Sequence, residues 1–220
     1  MKQLLSENLE FLRQFRRRFH TTGAVLPSSR FLAHALTRPL VALKGPKRVL
    51  EVGPGTGAVT RSIVTRIGEQ DWFDLVEIND RFAELLRQRF MSDPRFRTAA
   101  ASSVVHCCAL QEFRTDAQYD AIVSGLPFNN FKVELVAELL STCFQLLAPG
   151  GTLSFFEYMY VRPIKQRLAH GAERARLLEI EKLLQTQFAQ YRFRQDWVFV
   201  NVPPAWVQHL RKPVDATGGE

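Results

Sequence analysis

The residues best suited to chemistry lie around a glycine-rich turn, Gly53-Pro54-Gly55-Thr56-Gly57-Ala58, which follows a short apolar run. Glycine has no Cβ, so a turn of this composition can adopt positive φ and let a ligand approach its backbone closely. Two carboxylates accompany the turn: Glu51 stands two residues before the first glycine, and Glu77 ends a second apolar run. The pattern predicts a strand, a tight turn and a helix N-terminus, with a ligand bound at the turn.

The residue types narrow the class of ligand. A phosphate-binding P-loop would end in Gly-Lys-Ser/Thr, and that ending is absent. The spacing does fit G-x-G-x-x-A, the dinucleotide fingerprint, with Glu77 as the candidate ribose ligand. A buried carboxylate at Glu51 would sit poorly against a pyrophosphate, because like charges repel, but well against a cationic amino group. These residues favour a ligand that carries an amino group, and a dinucleotide stays a possible alternative ligand.

The elements that would position these residues alternate along the chain after residue 47. Apolar runs predict five strands, at 48–52, 73–78, 103–107, 119–124 and 152–158. Helical periodicity predicts helices near 59–67, 80–90, 132–147 and 173–188. This alternation indicates a parallel sheet with helices on both faces. Only Pro203-Pro204 separates the last two strand-like runs, 191–202 and 205–211, so these are predicted to form an antiparallel hairpin.

Composition indicates a folded protein with one domain and at most an appendage. The chain has 220 residues, of which 46% are hydrophobic and 23% charged. No apolar run reaches the roughly 20 residues of a membrane span, and the N-terminus lacks a signal-peptide pattern, so a cytoplasmic protein is expected. Cys107, Cys108 and Cys143 have no metal-ligand spacing. They are expected to be free thiols, and no metal is expected.

The charge of the chain is unevenly distributed. Residues 1–48 hold ten Lys and Arg against two Glu, a net charge of +8, whereas the whole chain carries +7. Residues 49–220 therefore sum to −1, and the excess positive charge belongs to the N-terminal segment. Such asymmetry points to a nucleic acid or an anionic membrane surface as partner.

The segment Glu51-Val52-Gly53-Pro54-Gly55-Thr56-Gly57 resembles the first motif of class I S-adenosylmethionine-dependent methyltransferases. The resemblance implies an α/β, Rossmann-like fold whose seven-stranded sheet contains an antiparallel terminal hairpin, in agreement with the predicted C-terminus. It also implies that the glycine turn packs against the methionine part of the cofactor, with Glu51 near its amino end and Glu77 on the ribose hydroxyls. The implied cofactor residues are Glu51, Gly53, Gly55, Thr56, Gly57, Glu77, Ile78, Cys108, Ala109, Leu110, Ser124 and Gly125.

One cofactor position departs from the family pattern. The resemblance would place an acidic residue after the third strand, facing the adenine amino group, whereas this sequence has Cys108 there. A thiol is a poor acceptor. Adenine binding would then rely on the backbone of Ala109 and Leu110 and on apolar contacts, with somewhat weaker cofactor affinity.

The turn after the fourth strand, Ser124-Gly125-Leu126-Pro127-Phe128-Asn129-Asn130, resembles the N/D/S-x-x-P-aromatic turn of amine-directed methyltransferases. By that resemblance Ser124 and Phe128 are candidate catalytic residues, which offer backbone carbonyls and an aromatic face to the nucleophilic nitrogen. The nitrogen must be uncharged to attack the methyl group, and the cationic product is stabilised over a ring face. Tyr158, at the end of the fifth strand, is the third candidate, because its hydroxyl could accept a hydrogen bond from the amine and its ring could join Phe128 in facing the cation. A place in the core is the alternative for Phe128.

The sequence of the N-terminal segment distinguishes between two families whose members carry such a turn. Thr22-Gly23-Ala24-Val25 and Pro27-Ser28-Ser29-Arg30 resemble bacterial phospholipid N-methyltransferases of the phosphatidylethanolamine N-methyltransferase family, as do residues 157–163 and 201–205. Ribosomal RNA adenine dimethyltransferases would show a Gln-Asn/His-Phe-Leu element there and continue into a helical subdomain after the hairpin. Methylation of phosphatidylethanolamine towards phosphatidylcholine is therefore expected. An ornithine-type aminolipid and ribosomal RNA adenine N6-dimethylation are the alternatives.

The first 19 residues predict an amphipathic helix. On a helical projection one broad face collects Leu4, Leu5, Leu9, Phe11, Leu12, Phe15 and Phe19. An apolar face with large aromatic residues and flanking arginines is typical of a helix that lies in a bilayer interface. The predicted membrane-binding residues are Phe11, Arg13, Phe15, Arg16, Arg17, Arg18 and Phe19. Two alternatives stay open: the apolar face packs on the sheet domain, or the arginines bind nucleic acid.

These expectations divide the chain into a membrane-contacting helical segment (1–46), a methyltransferase domain (47–212) and a flexible tail (213–220). The candidate substrate-binding residues are His20, Arg30, Tyr158 and Tyr160, of which His20 and Arg30 would contact the lipid phosphate. The expected partners are S-adenosyl-L-methionine, which becomes S-adenosyl-L-homocysteine, an anionic membrane surface and the aminolipid. No stable nucleic-acid partner is expected, and the protein is placed at the inner face of the cytoplasmic membrane. The sequence leaves the oligomeric state and the number of methyl groups open.

Overall fold

A computed structural model describes residues 29–159 and 171–214. Within these ranges seven strands form one sheet in the order β3-β2-β1-β4-β5-β7-β6. The strands are β1 Arg48–Val52, β2 Trp72–Val76, β3 Ser103–His106, β4 Tyr119–Ser124, β5 Leu147–Tyr158, β6 Arg192–Val198 and β7 Ala205–Arg211. The pairs among β1 to β5 are parallel, whereas β7 runs antiparallel to both β5 and β6. The predicted α/β fold with an antiparallel terminal hairpin is confirmed.

Six α-helices of the described residues connect or cover these strands. They are α1 Arg30–Leu36, α2 Thr60–Ile63, α3 Asp80–Ser92, α4 Arg97–Ala100, α5 Val133–Leu146 and α6 Gly171–Tyr191. Short 3₁₀ segments occupy Arg38–Ala42, Pro94–Phe96, Leu110–Glu112 and Phe128–Asn130. None of the helices in the described ranges is long and apolar enough to span a bilayer.

The sheet has a separate hydrophobic cluster on each face. One cluster joins Leu153 and Phe155 of β5 to α5 and α6 through residues such as Leu139 and Leu184. The other joins Phe156 of β5 to α1, α2 and α3. Helices cover both faces of this parallel sheet, which explains why nearly all consecutive residues of the central strands β1 and β4 are buried.

The described part of the N-terminal segment packs directly on the sheet. Leu32, Leu36 and Leu40 are buried in the same cluster as residues of β1 and β7. Arg38 adds an ion pair of 3.0 Å to Asp196 of β6. Residues 29–46 thus contribute to the core of the sheet domain, while the predicted amphipathic helix at 1–19 lies outside the described residues.

Several element boundaries differ from those predicted. The helix expected near 59–67 is the single turn α2, and β5 begins at Leu147 rather than near 152. α6 extends to Tyr191, whose ring lies 4.6 Å from that of Phe144. The strand-like run from 191 to 202 therefore contributes only Arg192–Val198 to β6, because its first residue completes the helix and its last residues form the turn into β7.

Candidate functional site

The glycine turn stands at the carboxyl end of β1. Gly53, Gly55 and Gly57 all have positive φ, at 69°, 58° and 75°, which residues with a Cβ rarely adopt. The Gly53 N–H donates to the carbonyl oxygen of Val76 over 2.9 Å, so the turn begins by joining the ends of β1 and β2. The predicted strand and tight turn are present, and the turn lies at the sheet edge where open α/β folds bind their ligands.

Glu77 anchors this turn from the end of β2. Its side chain is 0% exposed, and Oε2 accepts a hydrogen bond from the Gly55 N–H over 2.8 Å. Oε1 accepts from the N–H of Asn79, the N-cap of α3, over 2.9 Å. One carboxylate thereby fixes both the glycine turn and the start of the next helix. Each carboxylate oxygen can accept more than one hydrogen bond, so this structural role is compatible with ribose binding.

Glu51 is buried in the middle of the sheet, as its candidate role requires. It lies on β1 between Leu75 of β2 and Val123 of β4 in the strand register. A carboxylate this close to the glycine turn suits a cationic amino group better than a phosphate, since opposite charges attract more strongly where water is excluded.

The end of β4 presses against the end of β1. The Gly125 N–H donates to the Val52 carbonyl oxygen over 2.8 Å, and a Cβ on Gly125 would lie 2.7 Å from the carbonyl oxygen of Gly53. Ser124 is buried, and its Oγ accepts a hydrogen bond from the Leu126 N–H over 3.3 Å. Gly125 is thus required by close backbone contact, and Ser124 shapes the turn that follows.

A narrow cleft beside the glycine turn has the composition expected for an adenine site. It is lined by Val52, Gly53, Val76, Ile78, Cys108, Ala109, Leu110, Gln111, Leu126 and Leu139, and it encloses about 20 Å³. That volume holds little more than one water molecule, so a purine ring needs the lining side chains to move apart. Burial raises the pKa of the Cys108 thiol, which therefore lines the cleft as a neutral group.

Gln111 is a polar member of this cleft that sequence reasoning missed. Its Nε2 donates weakly to Glu138 over 3.4 Å, whereas its buried Oε1 has no partner among the described residues. The N–H of Ala109, whose backbone we expected to contribute to adenine binding, donates weakly to Oε2 of Glu112 over 3.4 Å. An orphaned buried acceptor three residues after Cys108 could receive the adenine amino group that the thiol cannot.

The turn after β4 is hydrogen-bonded to α6. Arg176 donates hydrogen bonds to the carbonyl oxygens of Phe131 and Asn129, and it forms an ion pair of 2.6 Å with Glu173. Phe128 is only 2% exposed, and its ring centroid lies 5.0 Å from that of Phe155. The ring of Phe128 is therefore part of the core in this structure. Arg176 had no signal in the sequence, because the turn carbonyl groups that it binds lie about 45 residues away.

Tyr158 and Phe128, the two aromatic residues expected near the acceptor amine, lie on different faces of the sheet. Tyr158 packs edge-on against Phe156, at 5.1 Å, in the cluster that contains α1. Phe128 belongs to the cluster of α5 and α6. We expected the two rings to share one site, and the structure does not bring them together. Burial raises the pKa of Tyr158, so its phenol is neutral and can both donate and accept a hydrogen bond.

The other candidate substrate residues are only partly described. Arg30 is exposed at the start of α1, with its guanidinium 4.8 Å above the ring centroid of Phe31. The preceding residue, Ser29, donates its N–H to Asn201 between β6 and β7 over 3.2 Å, so Arg30 lies near that turn. His20, Tyr160 and the predicted membrane-binding residues from Phe11 to Phe19 fall outside the described residues.

Comparison with known proteins agrees with this geometry. Residues 49–151 match the family model described as a methyltransferase domain. The ornithine lipid N-methyltransferase of Singulisphaera acidiphila is 31% identical over 144 residues, which are 66% of this chain and 74% of that protein. The ribosomal RNA small subunit methyltransferase A of a Marinomonas species is 27% identical over 62% of this chain, which spans 47% of that protein.

A solved structure shares the fold. The O-methyltransferase of Bacillus cereus, in complex with SAH, superimposes with a TM-score of 0.63 at 13% identity. The match covers 94% of this chain and 91% of that chain. An identity this low establishes the common architecture alone.

Proposed function

Because the chain belongs to the class I S-adenosylmethionine-dependent methyltransferases, we propose that it methylates the amine of a membrane aminolipid, with an ornithine-type lipid as substrate. The observation that carries this proposal is the similarity to an ornithine lipid N-methyltransferase, which extends over 74% of that relative. This similarity favours the ornithine-type lipid over phosphatidylethanolamine, the substrate expected first from the sequence.

S-adenosylmethionine is the methyl donor, and the residues at the carboxyl edge fit its three parts. When bound, it supplies an electrophilic methyl group on a sulfonium centre. The three positive-φ glycines from Gly53 to Gly57 have no Cβ, which supports close approach of the amino-acid part to this turn, next to buried Glu51. The contact of Glu77 with the Gly55 N–H supports it as the ligand of the ribose hydroxyls, and the apolar cleft beside Ile78 supports an adenine site there.

The acceptor site needs mainly to position an amine. A nitrogen attacks the methyl group only when it is uncharged, and holding it in line contributes much of the rate enhancement. The turn from Ser124 to Phe131 suits this task because Arg176 and the Gly125–Val52 hydrogen bond fix it from two sides. We place the neutral hydroxyl of Tyr158 as an acceptor for the amine N–H.

Contact with a membrane is part of the proposal. The net charge of +8 in residues 1–48 supports attraction to anionic lipid, at about 1 kcal/mol for each basic residue near the surface. We propose that the residues from Phe11 to Phe19 form one membrane contact. Charge reversal of Arg16, Arg17 and Arg18 should weaken vesicle binding in a salt-dependent manner and leave S-adenosylhomocysteine binding intact.

One experiment distinguishes the candidate acceptors. The purified chain is incubated with methyl-labelled S-adenosylmethionine and, separately, vesicles with an ornithine lipid, vesicles with phosphatidylethanolamine, or ribosomal RNA. We expect label in the ornithine-lipid extract, and much less label with Glu77→Ala, which is the control with weakened cofactor binding. Label only in phosphatidylethanolamine would restore the first expectation. Label only in RNA would overturn the lipid proposal in favour of ribosomal RNA methylation, the activity in the name of the Marinomonas relative.

A further inference from the structure

The turn between β6 and β7 exposes a cluster of large apolar side chains. Trp197, Phe199, Val200 and Val202 are 57%, 62%, 64% and 71% exposed, and residues 197–204, here named the hairpin tip, contain no charged residue. Soluble proteins rarely leave such residues together on the surface unless they contact a partner or a membrane.

The hairpin tip lies at the edge of the sheet that carries the active site. Ala205, the first residue of β7, pairs with Tyr158, the last residue of β5. The Met159 N–H donates to the carbonyl oxygen of Pro204 over 2.7 Å. β1 and β4 end at this same carboxyl edge. β1 is followed there by the glycine turn, and β4 by the turn from Ser124 to Phe131, here called the acceptor turn. The apolar cluster therefore stands beside the place where the acceptor amine must enter.

Contacts of Asn201 and Trp197 define the shape of the hairpin tip. Asn201 is buried, its Nδ2 donates to the Pro203 carbonyl oxygen over 2.7 Å, and its Oδ1 accepts from the Ser29 N–H over 3.2 Å. Trp197 lies 5.8 Å from Trp206 and 5.7 Å from Phe199, ring centroid to centroid. The apolar side chains are thus presented outward by a structured turn that is attached to α1.

The charges around the hairpin tip suit an anionic lipid surface. Arg30 follows Ser29 and is exposed next to the tip. Asp196, the acidic residue closest to the tip along β6, forms ion pairs with Arg38 at 3.0 Å and Arg194 at 2.9 Å. Its negative charge is therefore balanced. Aromatic side chains with a basic rim are the composition that prefers the headgroup region of a bilayer.

We propose that the hairpin tip inserts into the interface of an anionic membrane and turns the carboxyl edge of the sheet towards the lipid amine. The purpose of this orientation rests on the proposed aminolipid methylation, but the insertion itself does not depend on turnover. It provides a membrane contact in the sheet domain, in addition to the one proposed for residues 11–19.

The test removes the apolar side chains without touching the cofactor site. Phe199→Ser combined with Val200→Ser changes two exposed residues, and Met91→Ser is the matched control, because Met91 is 77% exposed near the end of α3 at the opposite edge. Binding to vesicles of phosphatidylethanolamine and phosphatidylglycerol is measured by cosedimentation. We expect the double variant to bind at least about tenfold more weakly, and Met91→Ser and Phe199→Trp to bind as the wild type does.

Two further measurements keep this inference separate from the proposed function. S-adenosylhomocysteine affinity and the unfolding midpoint should be unchanged in the double variant, which shows that the fold persists. If vesicle binding depends on the tip but no lipid is methylated, the insertion stands and the proposed function fails. If the double variant binds vesicles as tightly as the wild type, or the tip instead mediates self-association seen by light scattering, the insertion is wrong even if lipid is methylated.

Discussion

The Gly55 N–H donates a hydrogen bond of 2.8 Å to Oε2 of Glu77, so the carboxylate that follows β2 also holds the glycine turn that follows β1. The glycine turn and Glu77, the candidate ribose ligand, are therefore structurally coupled. A substitution at Glu77 changes the shape of the turn as well as the contacts to the cofactor.

Replacement of Glu77 by Gln tests this double role. Glu77 accepts from two backbone N–H groups, at Gly55 and Asn79, and an amide can offer only one acceptor oxygen to them. We expect S-adenosylhomocysteine to bind about tenfold more weakly or worse, and the free energy of unfolding to fall by about 1–3 kcal/mol. Calorimetric titration and urea unfolding measure the two effects. Glu84→Gln, on the exposed face of α3, is the control and should change neither.

Gly125→Ala tests the contact between the ends of β1 and β4. The new Cβ would lie 2.7 Å from the Gly53 carbonyl oxygen, and this backbone atom cannot move without distorting the glycine turn. We expect a loss of about 1–3 kcal/mol in stability together with weaker cofactor binding. Gly68→Ala is the matched control, since a Cβ there meets nothing within 4 Å. Equal unfolding midpoints for the two variants would contradict the proposed contact.

Gln111→Leu tests whether the orphaned amide oxygen recognises adenine. The substitution keeps the size of the side chain and removes Oε1, which is buried without a partner in the described part of the chain. We expect the wild type to prefer S-adenosylhomocysteine over its inosine analogue, which lacks the exocyclic amino group, and Gln111→Leu to lose about tenfold of that preference. Glu138→Gln alters only the far partner of Gln111 and should retain the preference. An unchanged ratio in Gln111→Leu would assign adenine recognition to other groups.

Tyr158→Phe tests the acceptor site. Because Tyr158 and Phe128 belong to clusters on different faces of the sheet, we propose the Tyr158 hydroxyl, rather than the Phe128 ring, as the contact of the amine. We expect Tyr158→Phe to lower turnover and to leave S-adenosylhomocysteine affinity unchanged. Phe128→Ala should instead cost about 3–5 kcal/mol of stability, as a buried ring does. Single-turnover kinetics and thermal unfolding measure the two, and wild-type turnover in Tyr158→Phe would remove Tyr158 from the mechanism.

His209 predicts how stability depends on pH. It is fully buried between Ser154, at 2.8 Å, and Asp196, at 3.3 Å, and burial lowers its pKa to about 4 although Asp196 opposes the shift. Unfolded histidine binds a proton below about pH 6.5. The folded protein does not bind that proton until about pH 4. The contribution of His209 to the free energy of unfolding is therefore complete above about pH 6.5 and is lost as the pH falls towards 4. The loss is at most about 1.4 kcal/mol per pH unit. Urea unfolding at a series of pH values should show a shallower acid slope for His209→Gln than for the wild type, and equal slopes would contradict this origin.

The local sequence was sufficient to predict those parts of the site whose conformation depends on residues close together in the chain. The turn requires positive φ at its three glycine positions, and few other residues tolerate that conformation. The spacing of the glycines therefore predicted the turn directly. Glu77 follows an apolar run, and the carboxyl ends of parallel strands meet at one edge, which brought it to the turn. The antiparallel hairpin followed from Pro203-Pro204, because no helix separates the flanking strands.

Other features were decided only by the tertiary structure, because they depend on contacts between distant residues. The faces on which Tyr158 and Phe128 lie depend on strand register and on the path of the turn after β4, and local patterns specify neither. Arg176 reaches the acceptor turn across about 45 residues of chain. The exposure of Phe199 beside the active-site edge results from the pairing of β7 with β5, since a strand-like sequence by itself does not say which of its apolar residues the sheet will leave uncovered.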